Sequence, residues 1–119
     1  MMIKAIKRFL ERGRKGYCQK DLWSWDNFFS KLISQSLREF KENCHSYPSE
    51  DITWEGWTAI LDEMIECFDE QWRAVDNIPC KPGTRIIDFD LIDKRQEHKA
   101  NKLHRGLELL EKYYYDLWD

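Results

Sequence analysis

The short motifs that carry most enzymatic chemistry are missing from this 119-residue sequence. It has no glycine-rich phosphate loop and no dinucleotide fingerprint, and no serine, histidine and aspartate set stands out. The four cysteines, Cys18, Cys44, Cys67 and Cys80, form no CxxC pair, which argues against a zinc ribbon or a redox motif. Cys44 and His45 are too close in sequence to aim one side chain at the other. We therefore expect no enzymatic activity and no cofactor.

Two groups of acidic residues lack the spacing of a metal site. A dimetal site in a helical bundle needs Glu-x-x-His pairs on partner helices, whereas Glu97 and His98 are adjacent. Asp88, Asp90 and Asp93 are separated by apolar residues and lack the glycine of a calcium loop. The sequence therefore predicts no bound metal.

No apolar run approaches the roughly 18 residues that a membrane-spanning helix requires, and no signal peptide is recognisable. These absences predict a cytoplasmic protein with reduced thiols. Residues 1–12 are basic and amphipathic, as in helices that lie at a membrane interface. Their apolar face comprises only Ile3, Ile6, Phe9 and Leu10, so we expect no membrane partner.

The net charge of −3 is unevenly distributed. Residues 1–20 contain seven Lys and Arg and one Glu, whereas residues 50–76 contain nine acidic residues and one Arg. The two blocks either meet within the fold or between subunits, or the basic arm binds an anion or a nucleic acid. The candidate anion contacts in the arm are Lys4, Lys7, Arg8, Arg12, Arg14 and Lys15.

Apolar residues at the three-to-four spacing of a core-facing helix predict four helical segments. They cover Ile3–Arg12, a stretch from Asp21 or Asp26 to Asn43, a helix capped by Thr53 that runs to about Trp72, and Asp93–Leu117. Asn77–Gly83 predicts a break, and Arg85–Asp93 alternates like a strand but favours an extended loop or a helix entry, because no second strand is evident. The expected fold is all-α: a single domain, 1–119, forming a small bundle of about four helices around a central antiparallel helix pair, with the basic arm at 1–20.

The six tryptophans divide into two groups by position. Trp25, Trp57 and Trp72 lie on apolar stripes and are expected in the core. Trp23 and Trp54 lie off the stripes, and with His45 and Tyr47 in the loop they are expected to form one aromatic cluster at one end of the helix hairpin. Such a cluster either staples the loop to the helices or stacks on a ligand base.

The third and last helices carry further candidate contacts. Glu63, Glu66 and Glu70 predict a solvated acidic face, which could imitate a phosphate track and occupy a basic groove of a partner. The last helix shows a 4-3-4-3 seam of Leu103, Leu107, Leu110, Tyr114 and Leu117, and Gly106 favours a close helix crossing. Tyr113, Tyr114, Tyr115 and Trp118 surround the helix, so at least one faces solvent or a second copy; a homo-oligomer through this helix is possible.

The stretch from Lys20 to Trp72 resembles a family of small proteins of unknown function in tailed phages and prophages. The matching segments are DLWSWD (21–26), FKEN (40–43), HSYP (45–48), TWEGW (53–57) and ILDEMI (60–65). The family pattern has a second acid before Trp57, where this sequence has Gly56. The resemblance implies a phage origin and no known activity. Phage proteins of this size are commonly early-gene products that bind a host component.

Three binding functions follow as hypotheses. The first is a non-enzymatic inhibitor or adaptor that acts on a host protein, such as a bacterial defence component, through the acidic helix face and exposed aromatics including Trp118. The second is sequestration of a small nucleotide signal by Trp23, His45, Tyr47 and Trp54. The third is nucleic-acid binding through the basic arm. A structural phage component is a further alternative.

Overall fold

A computed structural model describes residues 2–45, 47–48, 51–73 and 78–118. Within these ranges the chain forms five α-helices and no β-strand. The helices are α1 (Met2–Lys15), α2 (Gln19–Trp23), α3 (Trp25–Asn43), α4 (Trp54–Trp72) and α5 (Phe89–Tyr113), and a 3₁₀ turn follows at Tyr114–Asp116. The predicted all-α fold is confirmed. Ser46, Ser49, Glu50 and residues 74–77, which belong to the predicted loop, acidic block and break, lie outside the described residues.

α4 is the central helix, because it packs along both α3 and α5. Arg38 of α3 pairs with Asp69 of α4, and Lys41 pairs with Asp62 at 2.6 Å between Nζ and Oδ1. Since the sequence numbers rise on α3 while they fall on α4, the two helices are antiparallel. This is the predicted central helix pair.

The core is built mainly from one face of α4. Trp57, Leu61, Met64 and Phe68 repeat at helical spacing and are fully buried. Trp57 is 1% exposed, and its ring meets that of Tyr113 edge-on with 5.6 Å between centroids. The predicted N-cap of this helix is also confirmed, because Thr53 Oγ1 accepts a hydrogen bond from the Gly56 backbone N–H at 3.0 Å.

Two of the three tryptophans expected in the core lie elsewhere. Trp25 is 56% exposed, although it stacks on Phe29 at 5.2 Å, and Trp72 is only half-buried. The indole N–H of Trp72 donates to Ser34 Oγ at 2.7 Å, which places Ser34 at the end of α4. Trp25 precedes Ser34 by roughly 13 Å of helix and therefore lies beyond the end of α4.

The buried side of α3 is not simply the side that its apolar residues mark in the sequence. Ser30, Ser34 and Leu37 are buried there, whereas Leu32, an apolar residue of the same helix, is exposed. Apolar spacing alone did not identify this face, because two of its buried members are serines. Their small side chains allow α4 to approach closely, and the hydroxyl of Ser34 is satisfied by Trp72.

α5 begins earlier and ends earlier than the sequence predicts. The Asp88 side chain accepts a hydrogen bond from the Leu91 N–H at 3.0 Å, so α5 begins at Phe89 rather than near Asp93. Residues 85–93 therefore comprise a short loop followed by a helix entry, which was one of the alternatives. α5 ends at Tyr113 rather than Leu117.

The predicted 4-3-4-3 seam of α5 is wrong in part. Leu107 and Tyr114 are exposed, whereas Gly106 and Leu109 are buried. A β-carbon at Gly106 would lie 2.9 Å from Cys67 Cβ and 3.2 Å from Phe68 Cε2, so the glycine permits the close crossing of α4 and α5 that the sequence predicts. This contact accompanies a rotation of α5 that buries Gly106 and Leu109, while Leu110 and Leu117 of the seam still pack against the core.

α1 lies apart from the bundle. It has no buried residue, and it forms no packing interface with α3, α4 or α5. The radius of gyration of 18.3 Å exceeds the about 13.5 Å typical of a compact domain of this length. α1 extends through Gly13 to Lys15 and ends at a turn in which Gly16 has a φ of +86°, a conformation that favours glycine.

A two-pronged ion pair attaches α1 to α2. Arg12 donates to both carboxylate oxygens of Asp21, at 2.9 Å from Nε and 2.7 Å from Nη2. Asp21 also accepts the backbone N–H of Cys18 at 2.8 Å. The hydrogen bonds from Arg12 lower the pKa of Asp21 far below its ordinary value, despite an opposing effect of desolvation.

We expect Asp21→Ala to lower the urea midpoint at pH 7. Because the folded pKa of Asp21 is depressed, its stabilising contribution is complete above the unfolded pKa of about 4 and is lost as the pH falls further. The difference from wild type should therefore shrink between about pH 4 and pH 2. Asp93→Ala, at an exposed aspartate of α5, is the matched control. A difference that is the same at pH 7 and in acid would contradict the assigned role of the pair.

Three of the four cysteines are buried free thiols, Cys18, Cys44 and Cys67, while Cys80 is exposed. Cys67 lies on the buried face of α4, and Cys44 directly follows α3. Burial raises the pKa of the Cys67 thiol. None of the helices in the described ranges is long and apolar enough to cross a membrane.

Candidate ligand-binding groove

A groove of about 880 Å³ lies between the end of α4 and the first half of α5. Trp72 lines it from the end of α4 and Arg73 from the residue that follows, while Ile78 and Pro79 line it from the connecting segment. The lining residues of α5 are Ile92, Lys94, Arg95, Gln96, His98 and Lys99. Asn27 of α3 completes the lining. The volume lies within the range of about 300–1,000 Å³ that is usual for small-molecule sites.

The connection between α4 and α5 explains why the two helices meet here. The N–H of Asp88 donates to the Pro79 carbonyl at 2.8 Å, and the N–H of Lys81 donates to the Ile86 carbonyl at 2.8 Å. Gly83, with a φ of +72°, lies within this turn. The chain therefore folds back on itself, and α5 starts beside the segment that follows α4.

The groove is predominantly cationic. Arg73, Lys94, Arg95 and Lys99 line it, against Glu70 as the carboxylate. Glu70 is 3.9 Å from His98 Nε2, and Arg73 is 3.5 Å from Asp69. Within the described ranges, the ammonium groups of Lys94 and Lys99 have no ion-pair partner. Two cations are therefore available to a ligand.

A second part of the lining is apolar, and its aromatic member, Trp72, is held by a hydrogen bond. Ile78, Pro79 and Ile92 provide aliphatic surface beside Trp72. The Trp72 ring is fixed by its hydrogen bond to Ser34, and Lys31 Nζ lies 5.4 Å from the ring centroid. The groove thus combines cationic groups with an aliphatic and aromatic wall, in which the hydrogen bond to Ser34 positions the Trp72 ring.

The chemistry of this lining is suited to binding a ligand that has both an anionic and an apolar part. Lysine and arginine side chains form charge-assisted hydrogen bonds with phosphate or carboxylate groups, and the apolar wall can pack against a planar ring. Among the residues that the structure describes, no cluster of His, Cys, Asp and Glu could hold a metal ion.

The predicted aromatic cluster is only partly assembled. The rings of Tyr47 and Trp54 meet edge-on at 6.5 Å, and both are exposed beside the exposed His45. Trp23 is not part of this cluster, because it lies before the start of α3, whereas the loop follows the end of α3. The length of α3 separates them by roughly 27 Å. Including Trp23 in the cluster was wrong.

The predicted acidic face lies along α5 and is neutralised by that helix. Glu63 pairs with Arg105 at 2.6 Å and Glu66 with Lys102 at 3.0 Å, while Glu70 lies near His98. The hydrogen bond from Arg105 lowers the pKa of Glu63. The hydrogen bonds from Glu63 and Glu66 raise the pKa of Arg105 and Lys102, respectively. These carboxylates remain accessible, and their role in binding a host protein stays a prediction.

The acidic residues of α4, which belong to the block at 50–76, form their ion pairs with α3 and α5 and not with the basic block at 1–20. Asp62 and Asp69 pair with α3, Glu63 and Glu66 with α5, while Arg12 of the basic arm pairs with Asp21. The expectation that the two blocks meet within the fold is wrong for these groups. The reason is that α3 and α5 supply their own cations to α4.

The remaining predicted contacts are exposed. Lys4, Lys7, Arg12, Arg14 and Lys15 lie on the surface of α1, with Arg8 half-buried. Tyr115 and Trp118 project from the C-terminal turn, as expected for at least one residue of this aromatic group. A homo-oligomer through this region stays a prediction.

Of the groove residues, the sequence predicts only Glu70 as a contact, and it does so as part of the acidic face. The available signal was the cluster of Lys94, Arg95, His98 and Lys99, which recurs at helical spacing just after a proline-containing break. Its partners, Arg73 and Trp72, are more than 20 positions away in the sequence, so that only the crossing of α4 and α5 brings them together. Comparisons with protein-family models, with curated proteins and with solved structures find no match to this chain.

Proposed function

We propose that this chain is a non-enzymatic binding protein that holds a small anionic ligand of the nucleotide class in the groove between α4 and α5. The observation that carries the proposal is that Lys94 and Lys99, which have no ion-pair partner among the described residues, lie beside an apolar wall in one groove of about 880 Å³. The sequence predicts nucleotide binding by Trp23, His45, Tyr47 and Trp54, whereas this proposal assigns it to the residues of the groove.

A nucleoside phosphate satisfies both parts of the lining. Its phosphates carry negative charge that Lys94 and Lys99 can bind, and charge-assisted hydrogen bonds of this kind are about twice as strong as neutral ones. Its base offers a flat, weakly polar surface to Ile78 and Pro79. The amide groups of Asn27 and Gln96 also line the groove and can bond to the edge of a base.

The resemblance to tailed-phage proteins gives this binding a biological setting. A phage protein that sequesters a nucleotide signal withdraws it from the host enzyme or defence system that responds to it. Such a protein inhibits a host component by mass action and needs no catalytic group. This setting is supported by the sequence resemblance alone.

Calorimetric titration with linear and cyclic nucleotides tests the proposal, with adenosine and inorganic phosphate as partial ligands. We expect at least one nucleotide to bind, and to bind more tightly than either partial ligand, because each of those occupies only one part of the groove. Lys94→Glu/Lys99→Glu should weaken binding at least about a hundredfold, since two charge-assisted contacts become repulsive.

The matched control is Lys4→Glu/Lys7→Glu, which makes the same change in net charge on α1. This variant should retain wild-type affinity if the ligand is bound in the groove. Equal losses in the two double variants would instead indicate a long-range effect of net charge. The absence of binding across the panel would contradict the proposed function.

A further inference from the structure

α1 presents an apolar face that no other part of the described chain covers. Five side chains form this face, and each is between 53% and 76% exposed. They are Met2, Ile3, Ile6, Phe9 and Leu10. From the sequence we expect no membrane partner, because the apolar face is small. In the structure, however, α1 lies apart from the bundle, and all five apolar side chains remain exposed.

The two faces of α1 are sharply separated. At about 100° per residue, the five apolar side chains fall within an arc of about 120°, and the basic residues occupy the opposite arc of about 160°. The basic residues are Lys4, Lys7, Arg8, Arg12, Arg14 and Lys15. Lys7 and Arg14 directly border the apolar arc. This arrangement is typical of helices that lie in the interface of an anionic membrane.

The contacts between α1 and α2 set the direction of the apolar face. Arg12 binds Asp21, and Glu11 accepts the backbone N–H of Gln19 at 3.4 Å. Arg12 and Glu11 both belong to the polar arc, so α2 lies on the polar side of α1. The apolar face is therefore turned away from α2.

We propose that α1 docks this protein on the surface of a membrane containing anionic phospholipids. The apolar arc would enter the boundary between headgroups and acyl chains, and the bordering cations would contact phosphate groups. This inference goes beyond the proposed function, since none of its residues belongs to the groove.

Charge complementarity favours this occupant over two others. A nucleic acid would neutralise the basic arc but would leave the apolar arc in water. A second copy of α1 would cover the apolar arc, but its only carboxylate among the described residues, Glu11, cannot neutralise the basic arc. An anionic lipid surface satisfies both arcs of the helix at once.

Vesicle co-sedimentation at about 0.1 M salt tests the proposal. We expect the full chain to bind vesicles of equimolar phosphatidylglycerol and phosphatidylcholine and to bind pure phosphatidylcholine much more weakly. Leu10→Ser should lower the partition coefficient about tenfold, because a leucine side chain no longer enters the apolar layer. Lys7→Gln should lower it about fivefold, the effect of one cation near an anionic surface.

Leu32→Ser is the matched control, because Leu32 of α3 is 51% exposed and Leu10 is 63% exposed. This control and the groove variant Lys94→Glu/Lys99→Glu should bind vesicles like the wild type. Vesicle binding by Lys94→Glu/Lys99→Glu would also show that the two sites act separately, so either proposal can fail without the other.

Three results would overturn the proposal. The first is no binding to anionic vesicles. The second is equal partition by Leu10→Ser and the wild type. The third is a wild-type protein that forms a dimer and does not bind vesicles, together with a Leu10→Ser variant that is monomeric. In that case a second copy of the chain covers the apolar face. A parallel titration with duplex DNA identifies nucleic-acid binding, which Lys7→Gln would weaken and Leu10→Ser would not.

Discussion

Gly106→Leu is expected to lower the free energy of unfolding by about 3 kcal/mol, at the upper end of the usual cost of overpacking. A β-carbon at this position would already lie 2.9 Å from Cys67 Cβ, which is attached to the backbone of α4 and cannot rotate away. A larger side chain must therefore push α5 away from α4. Because the groove lies between these helices, ligand binding should weaken as well.

Gly106→Ala separates the two effects of adding a side chain. Alanine favours a helix over glycine by about 1 kcal/mol, so a stabilised variant would show that the crossing is loose. We expect a net destabilisation because of the contact with Cys67. Gly13→Ala is the matched control, since a β-carbon there meets nothing within 4 Å. Urea denaturation followed by far-ultraviolet circular dichroism gives both values. Unchanged stability in Gly106→Leu would contradict the close crossing.

Trp57→Ala is expected to cost about 3–5 kcal/mol, the usual range for removing a fully buried aromatic side chain. Trp57 is 1% exposed and lies in the cluster that joins α3, α4 and α5. The substitution removes its edge-on contact with Tyr113 and leaves a cavity at the centre of the bundle. If the domain lies at the lower end of the usual total stability of about 5–15 kcal/mol, this loss approaches complete unfolding.

Trp23→Ala provides the comparison for this substitution. Trp23 is 71% exposed, and exposed positions usually change stability by less than about 0.5 kcal/mol. The two variants lose the same side chain from the same protein, so the difference between their urea midpoints reports burial alone. Similar midpoints for both variants would contradict the placement of Trp57 in the core.

Features that depend on a few neighbouring residues could be predicted from the sequence. The apolar stripe of α4 appears in the spacing of Trp57, Leu61, Met64 and Phe68, and Thr53 is a preferred N-cap residue. Gly106 stands out in an otherwise continuous helix, and the structure confirms the close crossing expected there. Each of these signals is local in the chain.

The rotation of a helix about its axis could not be predicted, because it depends on the partner helix. On α5 the buried residues include Gly106 and Leu109 rather than Leu107, since contact with Cys67 and Phe68 decides which side faces α4. On α3, Ser34 is buried because it meets Trp72. Because serine and glycine are not counted as apolar residues, the spacing of apolar residues does not reveal these buried positions.

The candidate groove was hidden for the same reason. Arg73 and Lys99 are distant in the sequence, and they line one groove only after the chain folds back at Pro79. The acidic residues of α4 were correctly found but lacked their partners, because Arg105 and Lys102 are recognised as such only when α5 is placed alongside α4.

The most direct test of the central claim is a nuclear magnetic resonance titration of the ¹⁵N-labelled protein with the tightest-binding nucleotide. If the nucleotide lies in the groove, the backbone amide signals of Arg73, Ile78, Lys94 and Lys99 shift together and saturate at one dissociation constant. Signals of Tyr47 and Trp54, at the other end of α4, should remain in place. Shifts confined to Tyr47 and Trp54, or no saturating shift in the groove, would contradict the central claim.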